Sequence, residues 1–188
     1  ATSFGSRALQ AAEPLVKAMP NMEKLGWRVG FATYSFRNVS IFEALDKVAA
    51  TGLNYAELFG WQKLSPGSPD VTPEKGLSKA QRLELKKSAA DLGVKIVGMY
   101  SRMKDPDATK ADFEFAAEMG LEVIVGEPLE AMFDAVEGFT EEFGVDLALH
   151  NHPKPSPYWN PDTGLAALKG RSTRMGFCCD TGHWCRSG

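Results

Sequence analysis

Residues 143–150 read FGVDLALH. The helical spacing of Leu129–Phe143 stops at Gly144, and an apolar run to His150 begins at once. A glycine at a helix C-terminus lets the backbone turn left-handed straight into the next element. The same join is written at 51–58 (TGLNYAEL), 92–99 (LGVKIVGM) and 119–126 (MGLEVIVG). Strands alternating with helices at this spacing mean βα units and a parallel sheet.

Outward from these joins, the spacing predicts strands over Trp27–Phe36, Asn54–Gly60, Val94–Tyr100, Leu121–Val125, Val145–His150 and Met175–Cys179. Helices are expected over Ile41–Ala50, Ser78–Leu92, Ala108–Met119, Leu129–Phe143 and, more briefly, Asp162–Lys169. Ser40 and Glu43 form a capping-box pattern ahead of Ile41, and Gly52 and Gly93 fit helix stops. Leu64–Gly76 is a long loop rich in proline and glycine. Residues 1–26 are expected to be a helical appendage, with one short helix over Arg7–Met19 ending near Pro20, and residues 27–188 the main domain.

Six such units fit either an open doubly wound sheet or part of an eight-stranded barrel. The glycine-rich dinucleotide fingerprint after the first strand is missing, as is a P-loop. Polar residues instead end many strands: Ser35 and Arg37, Glu57, Tyr100 and Arg102, Glu127, His150 and His152, Asp180 and His183. A barrel mouth shares its site around a ring of strand ends, whereas an open sheet concentrates it at one switch point. The expected fold is therefore an α/β, (β/α)8 TIM barrel, truncated after about six units. A complete barrel takes about 250 residues, so the expectation is a fragment, or a chain that a homo-oligomer or second chain completes.

The chain has 188 residues, 44% hydrophobic and 24% charged, enough for one sizeable core. A net charge of −3 argues against a nucleic-acid footprint, which needs a basic face. No apolar run approaches the roughly 18 residues of a membrane span. A soluble protein of the bacterial cytoplasm or periplasm is expected, with neither nucleic acid nor membrane as partner. Cys178, Cys179 and Cys185 are no disulfide framework. Adjacent cysteines on a strand face opposite ways, so Cys178 and Cys179 cannot both face one site. Buried small hydrophobes are the plain reading of these thiols, and a Cys/His/Asp metal cluster the sharper one.

All three histidines lie in two stretches, VDLALHNH (145–152) and GFCCDTGHW (176–184). His150 and His152 are two apart at a strand end, so regular strand geometry points them to one face. The strand end LALHNHP, the segment CDTGHW and the order of units resemble the xylose isomerase-like barrels, the sugar phosphate isomerase/epimerase group, over Trp27–Gly188. That group shares its fold with the barrel-type AP endonucleases. The resemblance implies one divalent ion held by side chains from strands five to eight. On that pattern Asp180 stands at the strand-six ligand, His183 beside metal or substrate, and His150 where many members carry Glu. The strand-seven and strand-eight ligands have no counterpart. The HNH reading resembles the branch near inosose dehydratase.

Proton abstraction next to a carbonyl, with a metal-stabilised enediolate, is the expected chemistry of a sugar isomerase or epimerase acting on a sugar or keto-sugar. Imidazole with carboxylate favours Mn, Co, Fe, Ni or Zn over Mg. His150 and Asp180 are the candidate metal ligands. His152, His183 and Glu57 are the candidate catalytic groups, and Tyr100, Arg102, Glu127, Lys154, Trp159 and Trp184 the candidate substrate contacts. Lys154, Tyr158 and Trp159 belong to a proline-rich loop, either a lid or an ordered surface loop. Glu57 also fits a solvated or salt-bridged rim residue, and so does Glu127, with Pro128 starting a helix beside it. Other functions stay open: a dehydratase or lyase on a keto-sugar or inosose, and a non-catalytic carbohydrate-binding protein. AP endonuclease activity is disfavoured by the acidic pI.

Overall fold

A computed structural model of the chain describes residues 20–103 and 105–187. The helix expected over Arg7–Met19 lies outside them. Pro20, expected near the end of that helix, instead opens a short one, α1 (Pro20–Lys24). Proline suits the first turn, where its missing N–H would have no partner.

The strands are β1 (Gly30–Ala32), β2 (Tyr55–Phe59), β3 (Lys95–Tyr100), β4 (Val123–Gly126), β5 (Asp146–His150) and β6 (Met175–Cys178). The helices between them are α2 (Ile41–Ala50), α3 (Lys79–Asp91), α4 (Pro106–Met119), α5 (Phe133–Phe143) and α6 (Pro161–Leu168), and α7 (Thr181–Ser187) follows β6. Every adjacent pair is parallel and the order is β1-β2-β3-β4-β5-β6. A doubly wound sheet reverses its order at a switch point. This one never does, which is barrel succession, although β1 and β6 do not meet and the sheet stays open.

The joins explain the succession. Gly144 sits at φ +65°, where a side chain would be strained, and Gly52, Gly93 and Gly120 take the same left-handed conformation. The capping box at Ser40 and Glu43 is formed. One face of the sheet packs on the helices: Ala56, Leu58, Met99, Ile124, Leu147 and Leu149 are buried against Leu45, Leu85, Phe113, Phe133 and Val136. Each large side chain so buried contributes about 1.5–3 kcal/mol. The opposite, concave face carries Glu57, Phe59, Tyr100, Ala148 and His150, all partly exposed. Phe59, Tyr100, Val125, Ala148 and Gly176 form one registered layer there, and His150 pairs with Cys178 in the layer above.

Three elements differ from expectation. The first strand ends at Ala32 instead of Phe36, and Thr33–Phe36 coils into a 3-10 turn. The Phe59 N–H donates to the buried Thr33 Oγ1 at 3.0 Å, so a hydroxyl takes the place of the next ladder carbonyl. The helix expected from Leu129 begins at Phe133, after a 3-10 turn over Glu130–Met132. Helix α7 is an element that the spacing does not predict. Asp180 Oδ1 accepts from the His183 N–H at 2.8 Å and so caps its first turn.

Candidate metal centre

Strand ends deliver the polar groups to one place. His150 is the last residue of β5, Tyr100 of β3, and Glu127 follows β4. Asp180 follows β6, and α7 starts one residue later, bringing His183 round on its first turn. The three histidine rings pack together, with centroids 4.5 Å apart for His150–His152, 4.9 Å for His152–His183 and 5.7 Å for His150–His183. Tyr100 meets His150 edge-on at 5.4 Å and His152 at 6.2 Å.

Asn151, between the two histidines, explains why these ends stay together. It is fully buried, its Oδ1 accepts from the Asp180 N–H at 2.8 Å, and its Nδ2 donates to the Asp180 carbonyl at 3.0 Å. Both bonds lock the end of β5 to the end of β6. Glu127 does the same for the following loop. Its Oε1 accepts from the His152 N–H at 2.6 Å and from the Ser156 hydroxyl at 3.2 Å. Sequence reading passes over Asn151; its signal is a polar residue alternating between two site histidines, which must face away from the mouth and so be buried.

Two groups of ligand atoms result: Glu127, His150 and His152, and His150, Asp180 and His183. Within each group the ligand atoms lie within 4.8 Å of one another. His152 Nδ1 is 3.0 Å from Glu127 Oε1, and His183 Nε2 is 3.4 Å from Asp180 Oδ2. His150 stands between them, 3.9 Å from Glu127 and 4.0 Å from Asp180.

The electrostatics follow from this crowding. Burial pushes Glu57 up to about 7, against the opposing pull of His150. Burial, then the charges of Glu127 and Glu57, raise Tyr100 above its ordinary value. Burial would raise Glu127 and Asp180 too. The His150 and His152 rings outweigh it at Glu127, and the His183 N–H with the His183 charge at Asp180, so both carboxyls end below their ordinary values. His183 is lowered, by burial first and then by neighbouring His152, Arg186 and His150, against the raising effect of Asp180. Cys178 is pushed up to about 12 by burial and then by Glu57 and Asp180, so it is a neutral thiol. All three cysteines are free, and Cys179 and Cys185 are exposed.

A divalent ion fits this donor set. His150 Nδ1 is buried with no hydrogen-bond partner, a costly state for a ring nitrogen unless a ligand fills it. Imidazole nitrogens and carboxylate oxygens together suit transition metals.

Of the other expected site residues, Lys154, Trp159 and Trp184 lie elsewhere, and Arg102 stands beside the mouth. Lys154 Nζ sits 3.9 Å over the Trp159 ring and 3.4 Å from the Ser187 carbonyl, so these two candidate contacts engage one another. Trp184 packs at 6.4 Å on Phe177, whose ring lies against Gly164 of α6, on the helix side of the sheet and away from the histidines. Arg102 stacks 3.9 Å over Trp61, with Glu74 at 3.8 Å. Trp61, which sequence reading misses, continues the mouth as an aromatic wall, 5.6 Å from Tyr100 and 3.8 Å from Phe59.

No protein-family model and no curated protein matches the sequence. Solved structures do match. An uncharacterised protein of Parabacteroides distasonis ATCC 8503 aligns at 30% identity with a TM-score of 0.74, over 84% of this chain and 65% of that one. A xylose isomerase-like TIM barrel protein of Mycobacterium smegmatis, in complex with magnesium, aligns at 14% identity and a TM-score of 0.64, over 84% and 65%. The fold is that of a xylose isomerase-like TIM barrel. A Thermus thermophilus protein soaked with ZnCl2 aligns at 21% identity and a TM-score of 0.50, over 84% and 67%. The chain thus spans 65% of the length of the first two, and presents six strands of the barrel as an open sheet. No described helix is long and apolar enough to cross a membrane.

Proposed function

We propose that the mouth binds a divalent transition-metal ion and that the protein is a sugar-processing enzyme, an isomerase or epimerase working by proton transfer next to a carbonyl. The observation that carries this is the meeting of all three histidines with Asp180 and Glu127, the ligand atoms of each group lying within 4.8 Å of one another. His150 and Asp180 are the ligands, with His183 beside them. Such an ion polarises a carbonyl oxygen and stabilises the negative charge that builds on it as the neighbouring proton leaves.

The chain's own groups supply the rest. Glu57, raised to about 7, can take up and return a proton at its carboxylate near neutral pH. It lies on the same concave face as Tyr100 and His150. His152 Nδ1, held by Glu127, is the second candidate for moving a proton. Tyr100 keeps its hydroxyl proton, so it donates to substrate oxygens. Trp61 stiffens the wall of the mouth, its ring packed against Arg102 at 3.9 Å and Phe59 at 3.8 Å.

Dehydration of a keto-sugar or inosose is a second reading, favoured by Glu57. A carboxyl titrating near 7 is half protonated at neutral pH and can hand a proton to a departing hydroxyl. Metal-loaded protein incubated with a panel of keto-sugars separates the two: deuterium from solvent enters the isomerase product at the carbon next to the carbonyl, whereas the lyase product loses one water of mass. Sugar binding that survives complete chelation, with neither product formed, would contradict both and leave a non-catalytic carbohydrate binder.

A further inference from the structure

Arg186 follows His183 by one turn of α7, so their side chains share a face of the helix. The Arg186 guanidinium touches His183 Nδ1, while the other ring nitrogen, Nε2, faces Asp180 Oδ2 at 3.4 Å. A guanidinium carries five N–H donors and no acceptor. His183 Nδ1 therefore meets it with its lone pair, and the proton of the neutral ring lies on Nε2. We propose that Arg186 is a positioning residue of the centre: it fixes His183 with its proton on Nε2, which makes His183 an N–H donor toward Asp180 and bars that nitrogen from binding the ion. This rests on the metal-binding reading above and puts His183 outside the ligand set.

Three observations support it. First, the environment of Nδ1 is the reverse of what a ligating ring needs. A histidine that binds an ion through one nitrogen donates its other N–H to a carboxylate, a carbonyl or water. Here a group that can only donate stands at that other nitrogen, and among the described residues the guanidinium hydrogen-bonds to this ring alone. Second, Gly182 makes room for the arrangement. A Cβ there would lie 3.2 Å from Asp180 Oδ1 and 3.5 Å from Arg186 Nη1, so a side chain would crowd the place where the guanidinium folds back beside the carboxylate. Third, the two oxygens of Asp180 divide their work. Oδ1 accepts from the His183 backbone N–H at 2.8 Å, and Oδ2 is left facing the His183 ring. A bare Nε2 would set its lone pair against that oxygen, whereas a protonated one points an N–H at it. Outer donors of this kind hold a ligating carboxylate in its orientation.

The test follows the ring proton by 15N NMR, because protonated, bare and metal-bound imidazole nitrogens give distinct signals. The chain is stripped by chelation and measured at about pH 8, where an ordinary imidazole is neutral, before and after loading with Zn2+. His183→Gln identifies the signals of that ring among the three histidines. Arg186→Lys keeps a donor without an acceptor, and Arg186→Glu puts an acceptor opposite Nδ1. Arg186 is exposed, so both variants fold.

The wild type and Arg186→Lys should keep the proton on His183 Nε2 with and without Zn2+. In Arg186→Glu the proton should move to Nδ1, and Nε2 should take up Zn2+. A His183 Nε2 that is bare or metal-bound in the wild type overturns the proposal, and so does a proton that stays on Nε2 in Arg186→Glu. The metal-binding reading fails separately, on a wild-type His150 ring whose signals do not respond to Zn2+. The stripped chains still decide the part of Arg186 in that case.

Discussion

At the scale of the residue, the centre depends on groups that are uncomfortable without their partners. Glu57 shows this most directly. In the metal-free fold it holds its proton up to about pH 7, whereas the unfolded chain releases it near 4.5. The folded state therefore binds more protons across that window, and stability falls as pH rises through it. The full difference is about 3 kcal/mol at most. Denaturant titrations of chelated protein at pH 5 and pH 8 should show that loss, and Glu57→Gln should abolish it; an unchanged pH slope in the variant would contradict the assignment. Asn151 makes a different prediction. Asn151→Leu leaves the Asp180 N–H without its partner in a part-buried place, at a cost of about 1–3 kcal/mol, while the Asp180 carbonyl keeps the His183 and Trp184 N–H groups. It should lower the melting temperature and weaken metal binding together, because the ends of β5 and β6 then move apart.

At the scale of the element, the glycine joins set the strand order. Gly144 is at φ +65° with open space around the place a Cβ would occupy, so Gly144→Ala costs backbone strain alone, about 1 kcal/mol. A melting temperature lowered by a few degrees, with metal content unchanged, is the expected outcome. These joins are plain in the sequence because helix stop and strand start follow within two residues, and the βα alternation, all six strands and the Ser40 capping box are legible there. What escapes a sequence reading is decided by contacts distant along the chain. Thr33 ends β1 only because Phe59 lies beside it to donate a hydrogen bond. Asp180 reads as a ligand alone, and its second task, accepting from His183 at the start of α7, emerges only in the fold. Histidines at neighbouring strand ends can be foreseen to converge, since a barrel gathers its strand ends. The place of Trp184 cannot: it depends on which side of the sheet α7 runs.

At the scale of the whole molecule, the sheet has one buried face and one open concave face that carries the site. The helices and the core fix the ends of β3 to β6 well enough to bring the ligands together within the described residues, although β1 and β6 do not close on each other. Because the site forms only in the folded chain, an ion that binds it stabilises the fold. At a hundred times its dissociation constant it adds about 2.7 kcal/mol, and Co2+ or Zn2+ should raise the melting temperature of the stripped protein where Na+ does not. The most direct measurement is metal content by plasma mass spectrometry of the loaded chain beside His150→Ala and Asp180→Ala. At least one ion per wild-type chain, with occupancy reduced in both variants, is the predicted result. A wild-type chain that takes up no Mn2+, Co2+ or Zn2+, or variants that keep the full wild-type complement, would contradict the account.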